Sequence, residues 1–133
     1  MNKDFEFVSE IKSLAKEKNI DTLLEEAKGG ENIEAVFAAV YLAAEQGLGQ
    51  SPFGEQLLAA RALTCGKVVE MPTGEGKTLA AVFAAAWHKL RGRRVHILTF
   101  NDYLAKRDRE WMKPIYDLLG ISAAYVTEKS TPN

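Results

Sequence analysis

The run Glu70-Met71-Pro72-Thr73-Gly74-Glu75-Gly76-Lys77-Thr78 has the residue types and spacing of a phosphate-binding loop. Gly74 and Gly76 let the backbone fold tightly enough to aim successive N–H groups at one point. A helix predicted over residues 79–90 begins directly afterwards. Its positive dipole end adds to those amides, and the two together make an anion site. Lys77 is expected to reach the outer phosphates of a nucleotide, and the Thr78 hydroxyl to ligate Mg²⁺. Glu75 points outward on this reading, because such loops work through backbone groups. A Gly-rich turn capping an amphipathic helix would explain the glycines. It would not explain Lys77-Thr78 right after them.

The elements that must position this loop follow from periodicity. Lys67-Val68-Val69 is a short apolar run ahead of it, and a strand is expected over residues 68–71. The β-rich residues 94–100 and 121–126 predict two more strands, with helices between. Strand, helix, strand, helix, strand implies parallel strands joined by right-handed crossovers. Residues 4–66 read as helices alone. Val8, Ile11 and Leu14 make a weak stripe. Ile20, Leu23 and Leu24 begin a short helix that Gly29-Gly30 stops. Ile33, Val36, Phe37, Val40, Tyr41 and Ala44 make a strong stripe at helical spacing, which Gly47 is expected to end. Ser51-Pro52 reads as an N-cap followed by proline at the first helical position, with a helix over 53–64. Asn101 is expected to cap the last helix, and Pro114 to kink or split it near Met112. Gly120 ends it.

Composition bounds the class. At 133 residues, 47% apolar and 26% charged, the chain is long enough for a real core and ordinary for a globular protein. Its net charge of −1 says little about partners, but the charge is unevenly spread. Acids dominate residues 1–34. Bases dominate 88–113, where Lys89, Arg91, Arg93, Arg94, Lys106, Arg107, Arg109 and Lys113 face only three acids. A basic patch suits nucleic acid or anionic headgroups, whereas a solvated face with intrahelical pairs such as Asp102–Lys106 is the commoner arrangement. Cys65 is alone, which excludes a disulfide framework; a buried, inert thiol is expected. No apolar run has the length of a bilayer span, and residues 1–5 lack the apolar core of a signal peptide. A cytoplasmic chain is expected. His88 and His96 have no metal-ligand spacing and are read as structural, and Trp87 and Trp111 as core or interface aromatics.

Three segments carry a resemblance. They are Phe53-Gly54-Glu55-Gln56-Leu57, the loop from Glu70 to Thr78, and Val95-His96-Ile97-Leu98-Thr99-Phe100-Asn101-Asp102-Tyr103-Leu104-Ala105-Lys106-Arg107-Asp108, which runs on into Glu110-Trp111-Met112. Met71 stands where the strict phosphate-loop pattern has a glycine, so the loop is of the helicase type. Together these segments resemble the first nucleotide-binding domain of the SecA family, ATPase motors that drive preproteins through a SecY-type channel. Phosphate loops are common; the run from Asn101 to Asp108 is the diagnostic part. The similarity is strongest over 53–126.

The resemblance implies an α/β fold: a partial RecA-like phosphate-loop NTPase domain of about three parallel strands, residues 53–133, preceded by an all-helical segment, residues 1–52. It implies ATP or ADP with Mg²⁺ as cofactors. Gln56 would sense adenine, Thr73, Gly74, Glu75, Gly76, Lys77 and Thr78 would hold the phosphates, and Thr78 would also bind the metal. Asn101 to Asp108 would relay nucleotide state. In the whole protein, the partners implied are the SecY-type membrane channel and unfolded preprotein, with the motor peripheral at the inner face of the plasma membrane. The pattern departs at Ser51-Pro52, where the family has Arg-His, and at Pro72, where it has Lys or Arg. The N-terminus is acidic where many relatives are basic. An acidic pair on a later strand, a second motor lobe and a preprotein-binding region do not follow within 133 residues. The chain is therefore expected to be the front piece of a longer protein, with no catalytic residue of its own and no ATP turnover alone. Two other classes compete. A superfamily-2 nucleic-acid helicase fragment shares the motor core and would use the basic residues 88–113. A non-catalytic helical interaction module would use residues 1–50.

Overall fold

A computed structural model of the chain describes residues 2–28, 31–72 and 76–131. Six helices follow one another: α1 (Lys3–Glu17), α2 (Ile20–Glu26), α3 (Ile33–Leu48), α4 (Gly54–Thr64), α5 (Lys77–Leu90) and α6 (Asp102–Leu118). Four of them start on asparagine, and each cap is made. The Oδ1 atoms of Asn2, Asn19, Asn32 and Asn101 accept from Asp4, Thr22, Ala35 and Leu104 at 3.0, 2.8, 3.0 and 2.9 Å. Each cap supplies an acceptor to an otherwise orphaned N–H and stabilises its helix by about 1 kcal/mol.

α3 is the centre. Between residues 35 and 44 its sole polar side-chain group is the Tyr41 hydroxyl, and Val36, Phe37, Val40, Ala43 and Ala44 are fully buried. A helix that is apolar nearly all round must be covered on several sides. α1, α2, α5 and α6 do this, while α4 packs mainly on α5. Phe37 sits between two rings: Phe7 of α1 at 5.6 Å and Phe83 of α5 at 5.2 Å, both edge-on. One apolar core runs from Phe7 to Leu119.

The α/β fold expected over residues 53–133 is overturned. Among the described residues there is no strand; residues 68–71, 94–100 and 121–126 have no regular secondary structure. A strand exists only through the ladder it makes with another. These three segments have the β-branched composition of strands but no neighbour, and most of their side chains stay outside the core. Leu98 and Phe100 are 91% and 94% exposed, and Val68 is fully exposed. Composition favours such residues in a pleated surface but does not supply the surface.

Smaller corrections share that logic. α3 passes through Gly47 and stops at Gly49, whose φ of 67° provides the left-handed cap. Ser51 does not cap α4; its hydroxyl donates to Glu45 Oε2 at 2.7 Å, and Phe53 holds the cap position. Pro114 does not split α6, which is one helix from Asp102 to Leu118. Cys65 is exposed, not buried. Among the described residues no helix is long and apolar enough to cross a membrane.

Candidate functional site at the start of helix α5

α5 opens without a side-chain cap. Its N-cap is Gly76, at φ 74° and ψ 45°, a left-handed conformation that a side chain would strain. The first helical bond to that residue is Ala80 N–H to Gly76 O at 3.2 Å. The N–H groups of Lys77, Thr78 and Leu79 therefore have no acceptor within the helix, as in any first turn. No acid lies in that turn to compete for them. Lys77 is exposed, Thr78 is half-buried, and Leu79 is buried and anchors the turn in the core. Such a terminus, with an ammonium and a hydroxyl beside it, can hold a polyphosphate. Thr73, Gly74 and Glu75 lie outside the described residues.

Gln56 is the buried polar side chain of the described core, at 5% exposed. It lies at the third position of α4, and the dense packing of α4 on α5 brings it to Gly76. Its Oε1 accepts from Phe53 N–H at 2.7 Å, and its Nε2 donates to Gly76 O at 3.2 Å. Phe53 O in turn accepts from Gln56 N–H at 3.1 Å. Two residues 20 apart in sequence are thus joined at the site. Beside them an open, mostly apolar groove of about 670 Å³ runs between α4 and residues 69–72, with Phe53, Leu58, Ala62, Val69, Met71 and Pro72 on its walls.

The metal reading fits this donor set in one respect. A Mg²⁺ ion keeps several waters and takes few protein ligands when phosphates supply the rest. Thr78 alone would then be the protein's contribution. Among the described residues no group of three His, Cys, Asp or Glu side chains could hold a metal.

The segment from Asn101 to Asp108 opens α6. Asn101 is the cap, Asp102 Oδ2 accepts from Glu128 N–H at 3.1 Å, and Arg107 pairs with Asp108 at 2.8 Å while stacking over Trp111 at 4.5 Å. No hydrogen bond or ion pair among the described residues joins it to Gly76, Lys77 or Thr78. The basic stretch is largely engaged within the fold. Lys106 faces Glu110 at 4.0 Å, Lys113 bonds Asp117 at 2.6 Å, Arg109 donates to Ala123 O at 2.9 Å, and Arg93 contacts His88 Nδ1 at 3.1 Å. The expected Asp102–Lys106 pair is not formed; each has the partner just named.

Some contacts had no signal in the sequence. Nothing in the spacing marks Phe53 and Gly76 as the partners of Gln56, because both contribute backbone atoms. The Asp102–Glu128 clasp is equally silent, since it also uses a backbone N–H.

Known proteins are similar to this chain over most of its length. The family model described as SecA DEAD-like domain matches residues 2–133, and the chain belongs to that family. Among curated relatives it is similar to protein translocase subunit SecA 2 of Mycolicibacterium smegmatis, 51% identical over 108 residues, which is 81% of this chain and 14% of the relative. It is also similar to protein translocase subunit SecA 2 of Mycobacterium tuberculosis, 48% identical over 115 residues, or 86% of this chain and 14% of that protein. Protein translocase subunit SecA 2 of Thermobifida fusca is 53% identical over 89 residues, covering 67% of this chain and 12% of the relative. The chain thus spans about 14% of the length of the first two.

Proposed function

We propose that the chain carries the ATP-binding start of a protein-translocating ATPase. Phosphates bind at the loop of Thr73, Gly74, Glu75 and Gly76 and the first turn of α5, with Lys77 on the outer phosphates and Thr78 on Mg²⁺. Gln56 reads adenine through the hydrogen and lone pair that its two internal bonds leave over. One observation supports this above the others: a left-handed glycine opens an uncapped helix directly onto Lys77-Thr78. The relatives named protein translocase subunits support the cargo, an unfolded preprotein, and a SecY-type channel as partner of the whole protein. It works from the cytoplasm, peripheral at the inner face of the plasma membrane. The chain by itself binds ATP without turning it over. Phosphoryl transfer needs a group that orients the attacking water and a cation that meets the developing charge, and neither Gln56 nor Thr78 has that chemistry free.

Titration calorimetry with ATP and Mg²⁺ tests the site. The wild-type chain binds, and Lys77→Ala loses at least about tenfold in affinity while its far-UV circular dichroism is unchanged. Equal affinity in the two proteins overturns the assignment. Steady ATP turnover by the wild-type chain overturns the claim that it is inactive alone.

A further inference from the structure

We propose that Gln56 is a positioning residue for the phosphate site, acting on the triphosphate through Gly76 whatever base is attached. This rests on the nucleotide-binding reading above. A residue that only read the base would keep its amide clear for the ligand. Here both ends of the amide are bonded inside the protein, to Phe53 N–H at 2.7 Å and to Gly76 O at 3.2 Å, and the side chain is 5% exposed. Phe53 is the N-cap of α4, so Oε1 fixes the amide to a rigid element. Nε2 then grips the carbonyl of the residue that opens α5. The approach is so close that a Cβ on Gly76 would collide with Nε2. Gly76 is therefore glycine for two reasons, its φ of 74° and the amide lying where a side chain would be.

The physical consequence concerns direction. A peptide unit is planar, so fixing Gly76 O also fixes the N–H of Lys77 on its far side. That N–H is one of the first-turn donors with no acceptor in the helix. Gln56 holds it aimed before any ligand arrives, which lowers the ordering penalty on binding. The bond carries no information about the base. Its loss weakens every triphosphate, with or without adenine.

The test compares ATP, GTP and inorganic tripolyphosphate, each with Mg²⁺, on the full chain by calorimetry. In Gln56→Ala the GTP and tripolyphosphate affinities fall by a similar factor, about five- to tenfold, the effect of one preorganising hydrogen bond, and ATP affinity falls by at least that factor because the adenine contact is lost with it. Gln56→Glu keeps the acceptor for Phe53 N–H and sets an oxygen against Gly76 O. It loses tripolyphosphate affinity at least as strongly, and it carries the test should the alanine variant not fold. Binding is measured at a temperature where circular dichroism shows each variant folded. Loss of ATP affinity with tripolyphosphate binding intact overturns the proposal and leaves Gln56 a base reader. A lowered melting temperature with all three affinities unchanged overturns it in favour of a packing role. A wild-type chain that binds none of the three overturns the nucleotide reading itself, a result distinct from either.

Discussion

Gly47 of α3 and Pro114 of α6 meet backbone to ring: a Cβ placed on Gly47 would lie 3.0 Å from Pro114 Cβ and 3.3 Å from Pro114 C. The two helices approach this closely because one lacks a side chain where the other carries a rigid ring. In an open helix, Gly→Ala stabilises by roughly 0.5–1 kcal/mol. Here that gain is cancelled by the contact, and Gly47→Val forces α6 outward and costs about 1–3 kcal/mol. Urea unfolding of the two variants checks it. A gain of the full helix-propensity value in Gly47→Ala would show that the helices are further apart.

Phe37 joins three helices through its two edge-on ring contacts. Phe37→Ala removes a fully buried ring from the centre of the core and costs about 3–5 kcal/mol. That is a large share of the roughly 5–15 kcal/mol available to a domain. The expected result is loss of the cooperative thermal transition at or near room temperature. Phe37→Leu retains it at a lower midpoint. A midpoint unchanged by alanine would contradict the packing described.

The Thr78 hydroxyl is expected to act through the metal, while its backbone N–H stays available to the phosphates in any variant. Thr78→Ala lowers ATP affinity in Mg²⁺ to the level seen in excess EDTA and leaves the EDTA value where it was. Calorimetry in the two buffers measures both. If the variant still responds to Mg²⁺ as the wild type does, the ion is held elsewhere.

His88 is held below its ordinary pKa of 6.5, first by burial, then by the Arg93 and Arg91 guanidiniums. Folding thus favours the neutral ring. The sign follows: the unfolded chain binds more protons in the window just below 6.5, so stability rises with pH across it. The contribution is present above the unfolded value and disappears as pH falls through the lowered one. An NMR titration of the ring gives a midpoint under 6.5. Arg93→Gln moves it only part of the way back, because burial is the larger cause. A midpoint above 6.5 would reverse the argument.

Val68, Leu98, Phe100 and Val126 place large apolar side chains in water. Apolar exposure of this kind promotes association. The isolated chain should bind a hydrophobic dye and show a mass that grows with concentration in sedimentation. Leu98→Lys with Phe100→Ser reduces both without lowering the helix signal. A strictly monomeric chain that ignores the dye would count against these exposures.

Much of the helical half was legible in the residues themselves. Asn101 as a cap, the stripe from Ile33 to Ala44 and the helix after Lys77-Thr78 all depend on contacts within four residues, and local spacing encodes those directly. The start of α5 at Gly76, Lys77 and Thr78 was legible for the same reason. The last helix shows the limit. Pro114 reads as a breaker, yet the close fit against Gly47 accompanies an unbroken helix, and a sequence does not show which residue a ring will face. Asp102 reads as the partner of Lys106 four residues on. The fold gives it the N–H of Glu128 instead.

By itself the order of residues determined the Asn101 cap of α6, the apolar face of α3 and the helix that begins at Lys77-Thr78, because each is written in short-range spacing. Only the tertiary structure decided that residues 68–71, 94–100 and 121–126 form no ladder, since a strand depends on a partner that its own residues do not specify. The tertiary structure also turned Gln56 toward Gly76, by packing α4 on α5 and bringing together two groups that the chain keeps 20 residues apart.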